Sequence, residues 1–285
     1  MLWALLGVFS QRLLTAGVSA LEIAFWRAAL GGCVFIAHAA VTRRLRLLKR
    51  SDLLAFAAFA LVGVTLFYSA LNLAIEAGGV SLAFVLLYTA PAFVAILAAI
   101  FLGERLTLVK VGLVGLSILG VALVSNSGGT GVTTSWQAVA WGLTAGASYS
   151  TYYLFGKWAL RRYAPVTRYA YVMPLGALGL VPFIGFEALR VATPAVWLDI
   201  GLMSLLSTYG AYLVYYTGLR TIEASRAVLV ATIEPVLAAL LAAALFGERL
   251  SALGIAGAVL VLASAVLATT TAQARRSGRL SKSRS

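Results

Sequence analysis

Apolar residues run along this chain in long unbroken blocks separated by short polar stretches. The blocks are Leu, Ala, Val and Gly runs of about 20 residues, the length that crosses the hydrocarbon layer as a helix. They lack the polar/apolar alternation of a barrel strand. In lipid every backbone N–H and C=O must be paired within the protein, so continuous blocks of this kind predict helices. Ten spans are expected, at roughly 2–18, 22–41, 53–74, 79–102, 107–125, 136–156, 166–187, 196–218, 224–246 and 251–270.

The polar interruptions organise the rest. Arg43, Arg44, Arg46, Lys49 and Arg50 break the chain after the second block. A Gly/Ser/Thr-rich loop at 127–135 divides an N-terminal half, 1–126, from a C-terminal half, 136–270, and the basic stretch 271–285 reads as a disordered cytoplasmic tail. Composition agrees: 62% of the 285 residues are hydrophobic and 11% charged, against about 25% charged in soluble domains. The net charge of +13 would suggest nucleic acid in a soluble protein. Here the bases crowd into short loops, where they set orientation. With the N-terminus cytoplasmic, 18 of the 22 Lys and Arg fall on the cytoplasmic side, which leaves Arg12, Arg27, Arg190 and Arg249 elsewhere. Both termini are therefore expected in the cytoplasm of a bacterial inner-membrane protein, with an even number of spans. The first block lacks the basic flank and small-residue site of a cleaved signal, and Cys33 is the sole cysteine, so no internal disulfide forms.

The chain also repeats itself. Pro91–Leu106 reads PAFVAILAAIFLGERL and Pro235–Leu250 reads PVLAALLAAALFGERL, identical at nine of sixteen positions at a shift of 144 residues. Tyr68 and Tyr212 pair at the same shift. Shared hydrophobicity explains matching Leu and Ala, but not a proline and a Gly-Glu-Arg-Leu ending at one spacing. Halves of five spans each must be inverted relative to one another, an arrangement common in secondary transporters, whose sites lie near the midplane between repeats. The expected fold is an all-α integral membrane protein of ten transmembrane helices in two inverted five-helix repeats.

On these residues the chain resembles the drug/metabolite transporter superfamily, specifically its EamA-type members. The matching features are the paired Pro…GERL blocks, the endings LGERLT (Leu102–Thr107) and FGERLS (Phe246–Ser251), and AFWRAALGG (Ala24–Gly32) in the second span. The second half has no counterpart of Arg27; Arg168 stands earlier instead. The resemblance implies a central cavity lined by the first, third, fourth, sixth, eighth and ninth spans. It also implies transport of small molecules: YddG-like members export amino acids, aromatic ones among them, and others move sugars, nucleotide sugars, purine derivatives or toxic cations.

Within the spans a few side chains carry candidate chemistry. Glu234 lies mid-span before Pro235, where a carboxylate is costly and usually faces a cavity or a partner. It could bind a substrate ammonium or a proton, or be a hydrogen-bonded acid packed between helices. Pro91 and Pro235 are expected to kink their helices, as hinges or as static bends. Tyr209, Tyr212 and Tyr216 recur at helical spacing; Tyr68 shares a face with Asn72, and Tyr149 with Tyr153. Tyr88 lies one turn before Pro91, and Trp3 lines the cavity or anchors the first span. Tyrosine has an apolar body and a polar tip, which suits an amphipathic solute; Tyr163, Tyr169 and Tyr216 read instead as an interfacial belt. Arg27 is expected to snorkel or to pair with Glu22, and the charges of Glu104/Arg105 and Glu248/Arg249 to be solvated at span ends. Gly142 and Gly146 permit close packing within the bundle or between protomers.

Other chemistries have no residues here. The chain has no GxxxxGK[ST] loop, no HExxH, one histidine (His38) and no mid-span lysine. No cofactor, metal or nucleic-acid partner is expected; the partners are a small-molecule substrate and the lipid bilayer, and a ten-span bundle could act alone. The expected function is not catalysis but secondary transport, foremost export of amino acids, with lipophilic cations as the alternative.

Overall fold

The structure is a computed structural model that describes residues 2–47, 49–102, 107–127, 129–159, 162–218 and 233–282. Helix α1 (Ala4–Thr15) is followed by α2 (Ala20–Val41), then α3 (Asp52–Ala60), which runs through a π-helical stretch, Leu61–Leu66, into α4 (Phe67–Gly78). Next come α5 (Val80–Leu87), α6 (Ala90–Leu102), α7 (Leu108–Ser125), a short strand β1 (Gly129–Thr130), α8 (Trp136–Ala159), α9 (Pro165–Leu180) and α10 (Glu187–Arg190). Helix α11 (Pro194–Leu202) passes through a second π-helical stretch, Met203–Gly210, into α12 (Ala211–Gly218). The described chain ends with α13 (Ile233–Phe246), β2 (Arg249–Leu250) and α14 (Ala252–Lys282).

The fold is a bundle of apolar helices, as the blocks require. Among the described residues, four helices are long and apolar enough to cross a membrane: Ala20–Val41, Asp52–Gly78, Val80–Leu97 and Leu108–Ser125. Helix ends follow local chemistry. Ser19, extended at ψ 152°, accepts from the Glu22 N–H to cap α2, and Thr107 and Thr193 cap α7 and α11 in the same way. Such caps satisfy amide groups that the first turn leaves free. Gly79 turns the chain between α4 and α5 at φ +88°, a conformation that favours glycine. Helix α14 continues to Lys282, through most of the basic stretch 271–285 that composition reads as disordered; this segment contains no proline to stop it.

Helices at matching places in the two halves lie together: α2 packs along α9, and α7 along α14. Gly120 and Gly257 make the second contact close, since a Cβ on either would press on the other's carbonyl oxygen, at 2.8 and 2.6 Å. The π-helical stretches match as well, for the 144-residue shift carries Leu61–Leu66 onto the latter part of Met203–Gly210. The i→i+5 winding of the first frees carbonyls for side chains: Val62 accepts from Ser148 Oγ at 2.7 Å and Gly63 from the Tyr152 hydroxyl at 2.6 Å.

The span Val80–Leu97 is interrupted at Tyr88–Thr89, in the turn before Pro91, which takes the second position of α6, where its missing N–H costs nothing. The turn before Ile233, where the bend at Pro235 is expected, lies outside the described residues. One sequence expectation needs correction here. Glu248 is not solvated. It is buried and accepts the Val80 and Ser81 N–H groups at 2.9 and 2.8 Å, capping α5 from the opposite half of the chain. The next residues, Arg249–Leu250, form β2 and pair antiparallel with β1 in the loop between the halves. The Gly-Glu-Arg-Leu ending at 247–250 is thus a latch. Its counterpart Gly103–Leu106 lies outside the described residues. Gly142 and Gly146 pack inside the bundle, where a Cβ would strike Leu86 and Thr89 at the break after α5.

Further contacts join the halves at the α2 N-terminal end. Arg12 and Asp199 pair at 2.9 Å. Glu22 does not pair with Arg27; its Oε1 accepts from the Trp26 indole at 3.0 Å and the Ala188 amide at 2.8 Å. Ser19 Oγ donates to Glu187 Oε2 at 3.2 Å, which ties α10 to the start of α2.

Candidate functional site

The break between α5 and α6 places Tyr88 opposite Glu234 of α13. Its hydroxyl donates to Glu234 Oε2 at 3.0 Å, and Glu234 is 9% exposed. Glu234 is thus a nearly buried acid held by a tyrosine at a helix break, where helix ends leave backbone groups free for ligands.

A second group of rings fills the space between α4, α8, α9 and α12. Tyr152 and Tyr212 stack with centroids 6.4 Å apart and planes 9° from parallel, and the Tyr212 hydroxyl donates to that of Tyr152 at 3.3 Å. Tyr169 lies 4.4 Å from Tyr212. Trp3 meets Tyr212 edge-on at 5.5 Å and Tyr215 at 5.3 Å. Tyr149 sits 5.5 Å from Tyr152 and 5.4 Å from Phe67, and is partly exposed. Tyr68 is fully buried, 3.5 Å from the Met173 sulfur, in the same packed core as Tyr152 and Tyr212. Asn72 donates to the Tyr68 carbonyl at 2.8 Å, and its buried Oδ1 has no partner among the described residues.

The sequence-derived residues divide accordingly. Trp3, Tyr68, Tyr149 and Tyr212 are brought together; Tyr88 joins Glu234. Tyr209 departs from Tyr212: its hydroxyl meets His38 Nδ1 at 2.9 Å and its ring packs on Phe35. The helical spacing assumed α winding, but Tyr209 lies in the π-helical stretch, which turns it toward α2. The side chains of Tyr153 and Tyr216 lie outside the described residues.

Four residues were passed over or misread. Tyr152, three residues after Tyr149, shares its face as readily as a residue four away. Tyr169 is not in an interfacial belt: it is wholly buried between Phe35 and Tyr212. Tyr163 is buried too, with its hydroxyl on Asp52. Arg27 does not snorkel, and it pairs with no acid among the described residues. It is 1% exposed, its guanidinium carbon stands 3.7 Å over the Tyr68 ring, and Nε donates to Thr208 Oγ1 at 3.0 Å.

Elsewhere, an open groove of about 370 Å³ lies between α1 and α11, lined by Arg12, Thr193, Asp199 and Phe246. None of the sequence-derived site residues reaches it. Among the described residues no three His, Cys, Asp or Glu side chains group as a metal site.

A multi-helix membrane bundle with a buried acid and a ring of tyrosines at a helix break has the make-up of a small-molecule transporter. The EamA-like transporter family matches residues 1–126 and again 136–270, and the chain belongs to that family. It is similar to an uncharacterized transporter of Archaeoglobus fulgidus, 31% identical over 247 residues that cover 86% of this chain and 87% of that protein. It is also similar to a probable terminal-alkyne amino-acid exporter of Streptantibioticus cattleyicolor, 32% identical over 136 residues, 45% of this chain and 43% of that protein. A solved crystal structure aligns over 95% of this chain and 94% of its own at a TM-score of 0.64 and 17% identity, a likeness of fold. The protein is a multi-pass membrane transporter of the EamA type.

Proposed function

We propose that this transporter exports small amphipathic metabolites, foremost amino acids including aromatic ones, by alternating access around a cavity between its halves. The observation that carries the reading is the Tyr88–Glu234 pair at the α5/α6 break, beside the tyrosines that converge on Tyr212. An acid there suits an ammonium group, and the rings suit an apolar side chain. The exporter name of the Streptantibioticus relative supports the same substrate class. Trp3, Tyr68, Asn72, Tyr88, Tyr149, Tyr153, Tyr212 and Glu234 are the proposed binding residues, with Tyr209 at the edge. The break before Pro91 and the segment around Pro235 are the proposed hinges, between halves 1–126 and 136–270 of ten spans in all. The working unit is one chain in the bacterial inner membrane with both termini cytoplasmic, and no chemistry is done on the substrate.

The test is counterflow in proteoliposomes loaded with unlabelled amino acids and followed with labelled phenylalanine, threonine or glutamate. Saturable entry stimulated by the internal amino acid is expected for phenylalanine. A folded protein that shows none for any of the three ends the amino-acid reading. A second reading, export of lipophilic cations, draws on the same acid and on the cation–π capacity of the surrounding rings. Inhibition by a quaternary ammonium compound without amino-acid counterflow would favour it.

A further inference from the structure

Arg27 poses an electrostatic problem that its surroundings do not solve. Its side chain is buried, yet no described carboxylate lies in ion-pair distance, and Glu22, on the same helix, is engaged with Trp26 and Ala188. The protein offers it the face of Tyr68, 3.7 Å away, and one hydroxyl, Thr208 Oγ1. Nη1 is buried and has no hydrogen-bond partner among the described residues. An isolated charge in a low-dielectric interior is expensive, and within a membrane protein such a residue marks a functional site by default. Snorkelling, the usual escape of a long basic side chain, is not used.

The neighbours indicate what completes it. Thr208 lies in one π-helical stretch and Tyr68 just beyond the other, so Arg27 is held by corresponding segments of both halves. Tyr68 packs in the same buried core as Tyr152, Tyr169 and Tyr212, and the Tyr212 hydroxyl donates to that of Tyr152 at 3.3 Å, so further phenolic groups stand in this part of the bundle. Glu234, held by Tyr88, forms no ion pair with Arg27 among the described residues, so one base and one acid remain that do not neutralise each other by direct contact. A zwitterion meets both charges at once and brings no net charge into the membrane. A guanidinium, with several N–H donors in a fixed plane, suits a carboxylate.

We propose that Arg27 binds the carboxylate of a zwitterionic substrate whose ammonium group is taken by Glu234, so that the site selects α-amino acids by both charges. This rests on the transporter reading above. It goes further in naming a recognition element outside the acid and the tyrosines, and in excluding amines that lack a carboxylate as good substrates.

The experiment compares three competitors for labelled phenylalanine in proteoliposome counterflow: phenylalanine, phenylalaninamide and 3-phenylpropionate. They carry both charges, the ammonium alone and the carboxylate alone. The wild type is expected to prefer phenylalanine to either by about 10-fold or more, since a charge-assisted hydrogen bond is worth about 1.5–3 kcal/mol and 1.4 kcal/mol is tenfold. Arg27→Gln is expected to weaken phenylalanine about 10-fold or more while leaving phenylalaninamide within about twofold, and Arg27→Lys to restore part of the preference. Equal loss for phenylalanine and phenylalaninamide in a variant of normal Tm would make Arg27 structural and overturn the proposal. Should Arg27→Gln fail to fold, the wild-type ranking decides alone: phenylalaninamide competing as well as phenylalanine overturns the carboxylate site but leaves amino-acid transport standing. Transport of a quaternary ammonium probe with no amino-acid counterflow overturns both.

Discussion

Replacing Glu234 by Gln is expected to lower the initial rate of phenylalanine counterflow about 10- to 100-fold while leaving the protein folded. Gln is nearly the same shape and can still accept the Tyr88 hydroxyl, now 3.0 Å from Oε2. What it removes is the acid. The expected size follows from the 1.5–3 kcal/mol worth of a hydrogen bond to a charged group, at 1.4 kcal/mol per factor of ten. Tyr88→Phe makes the complementary change, keeping the acid and removing its donor, and is expected to cost about 10-fold or less. The two variants, measured with the apparent Tm of each, separate the charge from the hydrogen bond that positions it. Wild-type rates in Glu234→Gln would remove the acid from the site and leave the tyrosines as its only recognition chemistry.

Glu248→Ala is expected to be the most destabilising single change. Glu248 accepts two backbone N–H groups at the first turn of α5, and both of its oxygens are used. Truncation leaves buried donors at the positive end of a helix. Two charge-assisted hydrogen bonds lost at about 1.5–3 kcal/mol each make about 3–6 kcal/mol. The apparent Tm in detergent should then fall by about 6–24 °C at about 2–4 °C per kcal/mol. Arg249→Ala tests the same motif where its side chain is exposed, and a change under about 2 °C is expected. If the two substitutions shift Tm equally, the latch contributes nothing beyond its backbone pairing.

Much of the architecture was readable along the chain because lipid makes one demand of every span. Block length and internal backbone pairing predict helices, and the paired Pro…GERL segments exposed the repeat without any structure. The residues Tyr68, Tyr88, Tyr212 and Glu234 were legible for a related reason: a polar group deep in an apolar block needs a partner. What failed were readings that used depth alone. Tyr169 and Arg27 sit where a belt or a snorkelling base is ordinary, and only the helix face, which a list of positions does not give, puts one between Phe35 and Tyr212 and the other over Tyr68. Tyr209 was misplaced by a change of winding that no residue type announces. The role of Glu248 was hidden by distance, for its partners are far away in the chain and their turn is set by Gly79.

That distance has a consequence for the order in which the molecule is made. The N–H of Val80 waits for a residue 168 positions later. Synthesis at about 5–20 residues per second opens an interval of roughly 10–30 s in which α5 exists without its cap. During that time the first half can enter the bilayer, but the turn at Gly79 has no carboxylate to fix it. Insertion of the early helices and completion of their ends are therefore separate events, and the second closes only when the last stretch of chain emerges.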